Sequence, residues 1–363
     1  MTSRTSIDPW ASEQQLDYDH LFEEFGMSKL SSELSDKLGF RLAQRGILFA
    51  HRDLDLWVAD AEAGKPVAIM SGIKPSSEFH LGSKLTAEEM IFFQRKFKAK
   101  VFYAIADLEA YADNGLTLEQ THDIAVSNLA DFLALGLDEK NAYVYKQSQE
   151  RRVMNMAYVF SRRATPAMLK ALYGERNYSL YFAALTQVGD ILLPQHKDFG
   201  GPKRVIVPVG VDQDPHIRFA RDIAFKEKLM LPGATYHRMM RSLKGESKMS
   251  KRDPASSLSL SDPPEVAKKK LMSAFSGGRN TAEEQKKLGG EIEKDMLYEV
   301  MRFHFMDDEK ELDEMKDDMV SGRLLTGEYK QKWIPHVLDW LKAHQERKKQ
   351  MLPKAQKMLE SLD

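Results

Sequence analysis

The middle of the chain contains short hydrophobic runs that predict buried strands. Each run is four or five residues long, which is typical of strands buried within a parallel sheet. Between the runs, apolar residues recur at helical spacing, as at Met90, Phe93 and Phe97. This alternation predicts an open, mostly parallel α/β sheet of the Rossmann-like kind. The predicted strands cover residues 67–70, 101–105, 205–209 and 236–240.

The strand pattern stops near Ser261, and helix signals dominate the rest of the chain. Thr281 and Glu284 form a capping box, which predicts a helix start. A long terminal helix is predicted from an apolar face that contains Trp333, Val337, Trp340 and Leu341. The beginning of the chain shows only short helical stretches. We therefore predict an irregular lead-in, an α/β unit and a helical module, over residues 1–60, 61–260 and 261–363.

Composition places the chain among ordinary globular proteins. It has 363 residues, of which 42% are hydrophobic and 29% charged, and a formal net charge of −1. The absence of cysteine excludes disulfides and thiolate zinc sites. No apolar run is long enough to cross a bilayer, and residues 1–8 lack the pattern of a signal peptide. We therefore expect a cytoplasmic protein without a membrane partner.

Charge is segregated along the chain although the total is close to zero. Residues 307–318 are strongly acidic, whereas the end of the terminal helix is basic. Such runs are often solvated helix faces, but the basic residues are also candidates for contact with nucleic-acid phosphates. These basic residues are Arg347, Lys348, Lys349, Lys354 and Lys357.

The first predicted strand leads into a segment with the chemistry of a phosphate site. Ser76 and Ser77 precede His80 and Gly82, where the next helix is expected to begin. A helix start presents free N–H groups and the positive end of a dipole to an anion. Glycine lets a nucleotide approach the backbone, and an imidazole can donate to a phosphate oxygen. Taken alone, the segment also fits a capped turn with a structural histidine.

The third predicted strand is followed by Asp212 and Gln213, which would project from the carboxyl edge of the sheet. The next helix is expected to start with Asp214 as its N-cap and Pro215 as its first residue. Helix capping by itself explains this segment equally well.

A compact cationic loop occurs later, in Ser247-Lys248-Met249-Ser250-Lys251-Arg252. Lysines with intervening hydroxyls suit a polyphosphate whose charge shifts during a reaction. A basic surface loop without a ligand is the alternative.

The motifs at these positions resemble those of a known enzyme class. His80-Leu81-Gly82 early and Lys248-Met249-Ser250-Lys251 late resemble the paired motifs of class I aminoacyl-tRNA synthetases. Their joint occurrence is more specific than either motif. The chain also looks like the archaeal and eukaryotic tryptophanyl-tRNA synthetases, from about Asp8 to the terminal helix. The matching segments include Asp8-Pro9-Trp10, Asp17-Tyr18-Asp19, Arg45-Gly46-Ile47, Val211-Asp212-Gln213-Asp214-Pro215 and Ala274-Phe275-Ser276-Gly277-Gly278-Arg279.

The resemblance implies a fold and a reaction. The fold would be a Rossmann-like sheet with an inserted connective segment, a C-terminal helical anticodon-binding domain, and a homodimer. L-tryptophan and ATP would form tryptophanyl-adenylate and pyrophosphate, and the tryptophanyl group would then pass to the 3′-terminal adenosine of tRNA(Trp). A Mg²⁺ ion would be bound through the phosphates, and no protein metal site is expected.

The resemblance also implies roles for individual residues. The residues implied for catalysis are His80, Lys248, Ser250 and Lys251. ATP would be bound by Ser76, Ser77, His80, Gly82, Lys248, Met249, Ser250 and Lys251. Tryptophan would be contacted by Glu109, at its α-ammonium group, and by Gln187 and Gln213.

The chain departs from the family pattern at two places. The first motif normally ends in His or Asn, but here that position is Ser83. Relatives of the eukaryotic type bring a Tyr and a Gln to the indole N–H, and the corresponding positions here are Met70 and Ala104. Another group must then accept the indole N–H, and Tyr103 and Tyr181 are the candidates in the sequence.

Three other classes of protein share some of these sequence features. A tyrosyl-tRNA synthetase would show a Tyr and an Asp at the phenol, and residues 274–279 speak against it. A small nucleotidyltransferase uses a similar first motif but does not need the helical tail. A catalytically silent RNA-binding paralogue would not need His80 and Lys248, both of which are intact.

Overall fold

The computed structural model describes residues 9, 22, 25–245 and 254–360. Seven strands form its central sheet: β1 (Ser28–Lys29), β2 (Leu48–Arg52), β3 (Val67–Ile73), β4 (Lys100–Ile105), β5 (Ala142–Lys146), β6 (Arg204–Gly210) and β7 (Gly233–His237). Their order across the sheet is β1-β2-β7-β6-β3-β4-β5. Neighbours from β7 to β5 are parallel, whereas β1 and β2 form an antiparallel edge. The predicted mostly parallel α/β sheet is therefore confirmed.

β3, β4 and β6 correspond to the hydrophobic runs in the sequence, and β7 corresponds to the fourth predicted strand. β7 begins and ends three residues earlier than predicted, at Gly233 and His237. It begins with small residues that carry little hydrophobic signal, although they pair with both β6 and β2. β1 and β2 lie in the region predicted to be an irregular lead-in, and that prediction is wrong for both strands.

Helices cover both faces of the sheet, and most of them connect parallel strands. In chain order they are α1 (Ser32–Leu38), α2 (Arg41–Gln44), α3 (Leu54–Glu62), α4 (Leu81–Phe97), α5 (Asp107–Asn114), α6 (Leu118–Leu135), α7 (Arg151–Ser161), α8 (Pro166–Tyr173), α9 (Tyr178–Leu192) and α10 (Asp214–Lys226). Helices α7 to α9 form the segment inserted between β5 and β6. This segment matches the connective insertion that the family resemblance implies.

The alternation of side chains along each strand divides the core into two layers. Ile69 and Tyr103 point into the layer that contains α4 and α6, whereas Met70 and Ala104 point into the layer with α7, α9 and α10. This separation follows from the two-residue period of a strand. It decides which side chains of β3 and β4 can line a site near α9.

The C-terminal region is helical in the described residues after 260, as predicted. Its helices are α11 (Pro264–Ser273), α12 (Ala282–Leu288), α13 (Met296–Val300), α14 (Glu309–Val320) and α15 (Thr326–Glu360). The side chain of Thr281 accepts a hydrogen bond from the Glu284 N–H at the start of α12. Trp333, Val337 and Leu341 are buried on the predicted face of α15. This region shares one hydrophobic cluster with α4 and α6, so it packs directly on the sheet layer.

The basic end of α15 is only partly available to a polyanion. Lys348 is buried, with its Nζ 2.7 Å from Asp131 and 2.8 Å from the Ser261 hydroxyl. Lys348 is therefore an interior contact between α15 and α6, and its prediction as a phosphate ligand is wrong. Lys349 and Lys354 are exposed and form surface ion pairs with Glu346 and Glu139.

Candidate active site

A cavity of about 520 Å³ opens at the carboxyl ends of β3, β4, β6 and β7. This is the edge at which open α/β sheets bind their ligands. Predicted site residues from four separate parts of the chain meet here. The wall includes Ser76, His80, Gly82, Glu109, Gln187 and Gln213.

His80 is the N-cap of α4, and its side chain accepts from two backbone N–H groups. Its Nδ1 lies 3.1 Å from the Gly82 nitrogen and 3.4 Å from the Ser83 nitrogen. A neutral imidazole that accepts at Nδ1 carries its proton on Nε2, which is then a donor. The helix start thus combines a dipole end with an oriented N–H donor, an arrangement that suits a phosphate.

Gly82 is closely enclosed by the same histidine. A Cβ at this position would lie 3.0 Å from His80 Cε1 and 3.1 Å from His80 Nδ1. The predicted role of Gly82 as an opening for the nucleotide remains a prediction, but the cap itself already favours glycine here. Ser83, the departure from the family motif, also lines the cavity.

Ser77 differs from the other predicted ATP ligands in its position. It is not among the described residues that line the cavity. Its carbonyl oxygen accepts from Asn128 Nδ2 at 3.3 Å, so this part of the loop is tied to α6. The structure groups Ser76 with His80 and Gly82 and leaves Ser77 outside the wall.

Two of the residues predicted to bind tryptophan are in direct contact. Gln187 Nε2 on α9 donates to Glu109 Oε2 on α5 at 2.5 Å. Lys74 Nζ lies 3.9 Å from the other carboxylate oxygen of Glu109. Gln213 lines the same cavity, and its Nε2 lies 3.4 Å from the Pro9 carbonyl oxygen. A carboxylate beside an amide in a cavity can hold an ammonium group.

Asp214 does not have the predicted N-cap role. It is the first residue of α10, while Gln213 occupies the cap position. The buried carboxylate of Asp214 instead accepts from Arg52 Nε at 3.0 Å and from the Tyr236 hydroxyl at 2.5 Å. Arg218 Nε lies 3.0 Å away on the next turn. Asp214 therefore joins α10 to β2 and β7, and of residues 212–214 it is Asp212 and Gln213 that line the cavity.

A buried polar cluster lies at the α9 side of the cavity, and the sequence did not indicate it. Asp190 Oδ1 accepts from the Tyr145 hydroxyl at 2.9 Å, and Asp190 Oδ2 accepts from Gln147 Nε2 at 2.6 Å. Burial raises the pKa of Asp190 to about 7, against the lowering effect of these hydrogen bonds. The one available signal was the position of Asp190 one turn after Gln187 on the same helix.

The two tyrosines considered for the indole N–H are placed for other contacts. Tyr103 is among the residues that line the cavity, but its ring packs on Phe132, in the layer opposite Met70 and Ala104. The hydroxyl of Tyr181 donates to the Gly174 carbonyl at 2.7 Å and accepts from the Arg176 N–H. Met70 and Ala104 line the cavity, but neither side chain has an oxygen or nitrogen that could accept the indole N–H implied by the resemblance.

Histidines other than His80 also border the cavity. His237 Nδ1 lies 2.7 Å from the buried Glu89 carboxylate, which also accepts from the Thr235 hydroxyl. His216 contacts the Tyr173 hydroxyl at 3.0 Å, and burial lowers the pKa of His216 to about 3. His216 is therefore neutral at ordinary pH and cannot act as a fixed cation.

The predicted lysine loop, with Lys248, Met249, Ser250 and Lys251, lies outside the described residues, as do Asp8 and residues 17–19. The residues on either side of the loop are described. The Leu243 N–H donates to the Ser256 carbonyl at 2.8 Å, and the Leu81 N–H to the Leu258 carbonyl at 3.3 Å. The two ends of the loop are thus joined to each other and lie beside the start of α4.

The described residues contain no cluster of three or more side chains suited to a metal ion. In the same part of the chain, no helix has the length and apolar character needed to span a membrane.

Several known proteins are similar to this chain in sequence and in fold. A family model described as tRNA synthetases class I (W and Y) matches residues 62–340. A tryptophan–tRNA ligase from Methanopyrus kandleri is 40% identical over 362 residues, which cover 96% of each protein. The crystal structure of tryptophanyl-tRNA synthetase from Aeropyrum pernix has a TM-score of 0.88 and 39% identity over 98% of each chain. A tryptophanyl-tRNA synthetase from Encephalitozoon cuniculi, bound to tryptophan, has a TM-score of 0.83 and 26% identity, over 95% of this chain and 98% of its own. This chain therefore belongs to the class I tRNA synthetases of the tryptophan and tyrosine family.

Proposed function

We propose that this protein is a tryptophan–tRNA ligase. The main support for the proposal is that the start of α4, Glu109 and Gln187 line the same cavity, where Gln187 donates to Glu109. The near full-length relative from Methanopyrus kandleri, a tryptophan–tRNA ligase, supports tryptophan as the amino acid. The reaction uses ATP and tRNA, which the cytoplasm supplies, so the cytoplasm is the proposed location.

In the first step, tryptophan would react with ATP to form tryptophanyl-adenylate. Glu109 and Gln187 hold the α-ammonium group, which directs the carboxylate towards the start of α4. One carboxylate oxygen attacks the α-phosphorus, and the bond from that phosphorus to the bridging oxygen of pyrophosphate breaks. No covalent enzyme intermediate is required. Catalysis comes from positioning and from stabilising the charge that develops on the phosphates.

The protein groups that stabilise this charge lie at two places. His80 and Gly82, at the start of α4, line the cavity and would face the phosphates of the nucleotide. Lys248, Ser250 and Lys251 would contact the leaving pyrophosphate; the described residues on either side of them, Leu243 and Leu258, lie beside the start of α4. When bound through the phosphates, Mg²⁺ neutralises part of their charge.

In the second step, the tryptophanyl group would pass to the 3′-terminal adenosine of tRNA(Trp). The helical region from α11 to α15 would read the anticodon. Exposed basic residues of α15, such as Lys349, are the candidates for phosphate contact, and Lys348 is not among them. Binding that depends on phosphate contacts weakens as the salt concentration rises.

A homodimer is proposed from apolar side chains left exposed on the inserted helices. On α7 and α9, Tyr158, Tyr178 and Phe182 are 81%, 84% and 61% exposed. Large apolar groups clustered on neighbouring helices are a common feature of surfaces that bind another protein. A second copy of this chain is the occupant that the family resemblance implies.

Amino-acid-dependent exchange of pyrophosphate into ATP, measured without tRNA, tests the proposal. Tryptophan should support exchange, and tyrosine is the essential comparison because the matching family model covers both tryptophan and tyrosine enzymes. The Lys248→Ala variant should retain its fold and lose exchange by about two to three powers of ten. Exchange with tyrosine instead of tryptophan would overturn the assignment. Folded protein that supports exchange with neither would favour the silent RNA-binding paralogue.

A further inference from the structure

The amino-acid end of the cavity contains a buried acceptor atom without a protein partner. Gln147 is 1% exposed and lines the cavity. Its Nε2 donates to Asp190, while its Oε1 has no hydrogen-bond partner among the described residues. Buried side-chain oxygens are nearly always hydrogen-bonded in folded proteins. An unpaired acceptor in a ligand cavity therefore indicates a donor on the ligand.

We propose that Gln147 Oε1 accepts the indole N–H of bound tryptophan and that Asp190 holds the amide in the required orientation. This inference rests on the proposed function and names the specificity contact of the same site. Gln147 would be a binding residue and Asp190 a positioning residue. The contact replaces the Tyr and Gln side chains that relatives bring to the indole, where this chain has Met70 and Ala104.

The orientation of the Gln147 amide follows from the partners around it. Gln147 Nε2 lies 2.6 Å from Asp190 Oδ2. The hydrogen bonds from Gln147 and Tyr145 lower the pKa of Asp190 and so favour its ionised form, which can only accept. In that form the NH₂ group of Gln147 must face Asp190. The other oxygen of Asp190 accepts from Tyr145, which fixes the carboxylate in turn. The opposite amide orientation would place two acceptor oxygens against each other. Asp190 and Tyr145 therefore leave the carbonyl oxygen, and not the NH₂ group, for the ligand.

The position of Gln147 also fits an indole ring. Its backbone N–H donates to the Ile105 carbonyl at 3.0 Å, so it continues the edge formed by β4 and β5. Asp190, its partner, lies three residues after Gln187 on α9, about one helical turn or ~5 Å along the axis. Gln187 contacts the ammonium-binding Glu109. Gln147 Oε1 is therefore separated from Glu109 and Gln187 along the direction of α9. The indole ring of tryptophan is separated from its α-ammonium group in the same way.

The test compares tryptophan with β-(benzothiophen-3-yl)alanine, which has sulfur in place of the indole N–H. The ratio of kcat/KM for tryptophan over this analogue is measured by pyrophosphate exchange. In the wild-type protein the ratio should exceed tenfold, because the analogue leaves Gln147 Oε1 unpaired. In Gln147→Met the acceptor is absent, and the ratio should fall to near one, mainly through the loss of kcat/KM for tryptophan. Circular dichroism and urea unfolding of the variant show whether it is folded.

Two further variants separate a specific effect from a structural one. Gln195 is a buried glutamine whose amide bonds to the Met230 backbone, so Gln195→Met should leave the ratio unchanged. In Asp190→Asn, the NH₂ group of the asparagine can donate to Gln147 Oε1, so this single variant should have a lower kcat/KM ratio than the wild-type protein. When Asp190→Asn is added to Gln147→Met, the ratio should fall no further. A ratio that stays high in Gln147→Met would overturn the inference and leave the proposed function intact. A wild-type protein inactive with tryptophan would instead refute the proposed function.

Discussion

At the scale of single residues, His80 has a structural and a chemical role that can be separated. It caps α4 through Nδ1, and it lines the cavity. Asparagine is a good N-cap but lacks the second ring nitrogen. The His80→Asn variant should therefore keep its unfolding free energy within about 0.5 kcal/mol and lose pyrophosphate exchange by about 10²- to 10³-fold.

The His80→Ala variant is the matched control for this prediction. It removes both roles and should also lose about 1 kcal/mol of stability. Urea unfolding and exchange kinetics are measured on both variants. Normal exchange in His80→Asn would remove the imidazole from the mechanism.

A buried carboxyl group outside the cavity gives a prediction about pH. Burial raises the pKa of Asp295 to about 6, above its ordinary value of 3.8. Between these values the folded state binds more protons than the unfolded state, so this group makes folding more favourable as the pH falls. Relative to Asp295→Asn, the wild-type protein should gain about 2 kcal/mol between pH 6 and pH 4, out of about 3 kcal/mol over the whole titration.

The asparagine side chain of the Asp295→Asn variant would still cap α13, so the comparison isolates the titration. Asp295 Oδ1 accepts from the Tyr298 N–H at 2.7 Å, a contact that asparagine can also make. The unfolding free energy is measured in denaturant at several pH values. Parallel curves for the two proteins, or a wild-type advantage that grows with rising pH, would contradict the assigned shift.

The sequence indicated His80 because helix starts and strand ends are locally encoded, whereas Glu109, Gln187 and Gln213 were predicted from the family resemblance. The fold brings all four residues to one cavity. The role of Gln147 could not be inferred in this way. It depends on Asp190, which is 43 residues away along the chain, and no local pattern encodes that pairing.

At the scale of elements, a buried ionic contact attaches the terminal helix to the sheet layer. Asp131 on α6 has no exposed surface and contacts both His344 Nε2, at 2.8 Å, and Lys348 Nζ, at 2.7 Å, on α15. Removing one partner of a buried pair leaves the other charge uncompensated. Asp131→Asn should therefore destabilise the protein by about 3 kcal/mol.

An exposed pair between the same two regions serves as the control. Lys354 on α15 and Glu139 after α6 are 44% and 28% exposed. Lys354→Ala should change the unfolding free energy by less than about 1 kcal/mol. Equal effects of Asp131→Asn and Lys354→Ala in urea unfolding would show that the buried contact does not hold α15 in place.

Strands were predictable where hydrophobic runs are continuous and buried on both faces, as in β3 and β6. β1 has only two residues, and β2 is defined by its antiparallel partners β1 and β7. β5 lies at the sheet edge, where Tyr143 is only partly buried and Tyr145 is fully buried. Long-range pairing therefore determines these three strands, and a single sequence contains little information about it.

At the scale of the whole molecule, the exposed helices α7 and α9 predict the oligomeric state. Sedimentation equilibrium should give a dimer for the wild-type protein. Replacing Tyr158 and Phe182 by Glu should give a monomer, because charged groups are costly at the centre of an apolar interface. Leu288, which is 60% exposed on α12, is the control, and Leu288→Glu should remain dimeric. A wild-type monomer, or a dimer that survives the double substitution, would contradict this assignment of the surface.

Complete aminoacylation of tRNA tests most directly whether this protein is a tryptophan–tRNA ligase. The wild-type protein is incubated with ATP, Mg²⁺, total tRNA and each of tryptophan and tyrosine in labelled form. Label should appear only from tryptophan, on the 3′-terminal adenosine of tRNA(Trp), and Lys248→Ala should abolish its rapid appearance. Charging of tRNA with tyrosine, or no charging by a protein that binds tRNA, would contradict the assignment as a tryptophan–tRNA ligase.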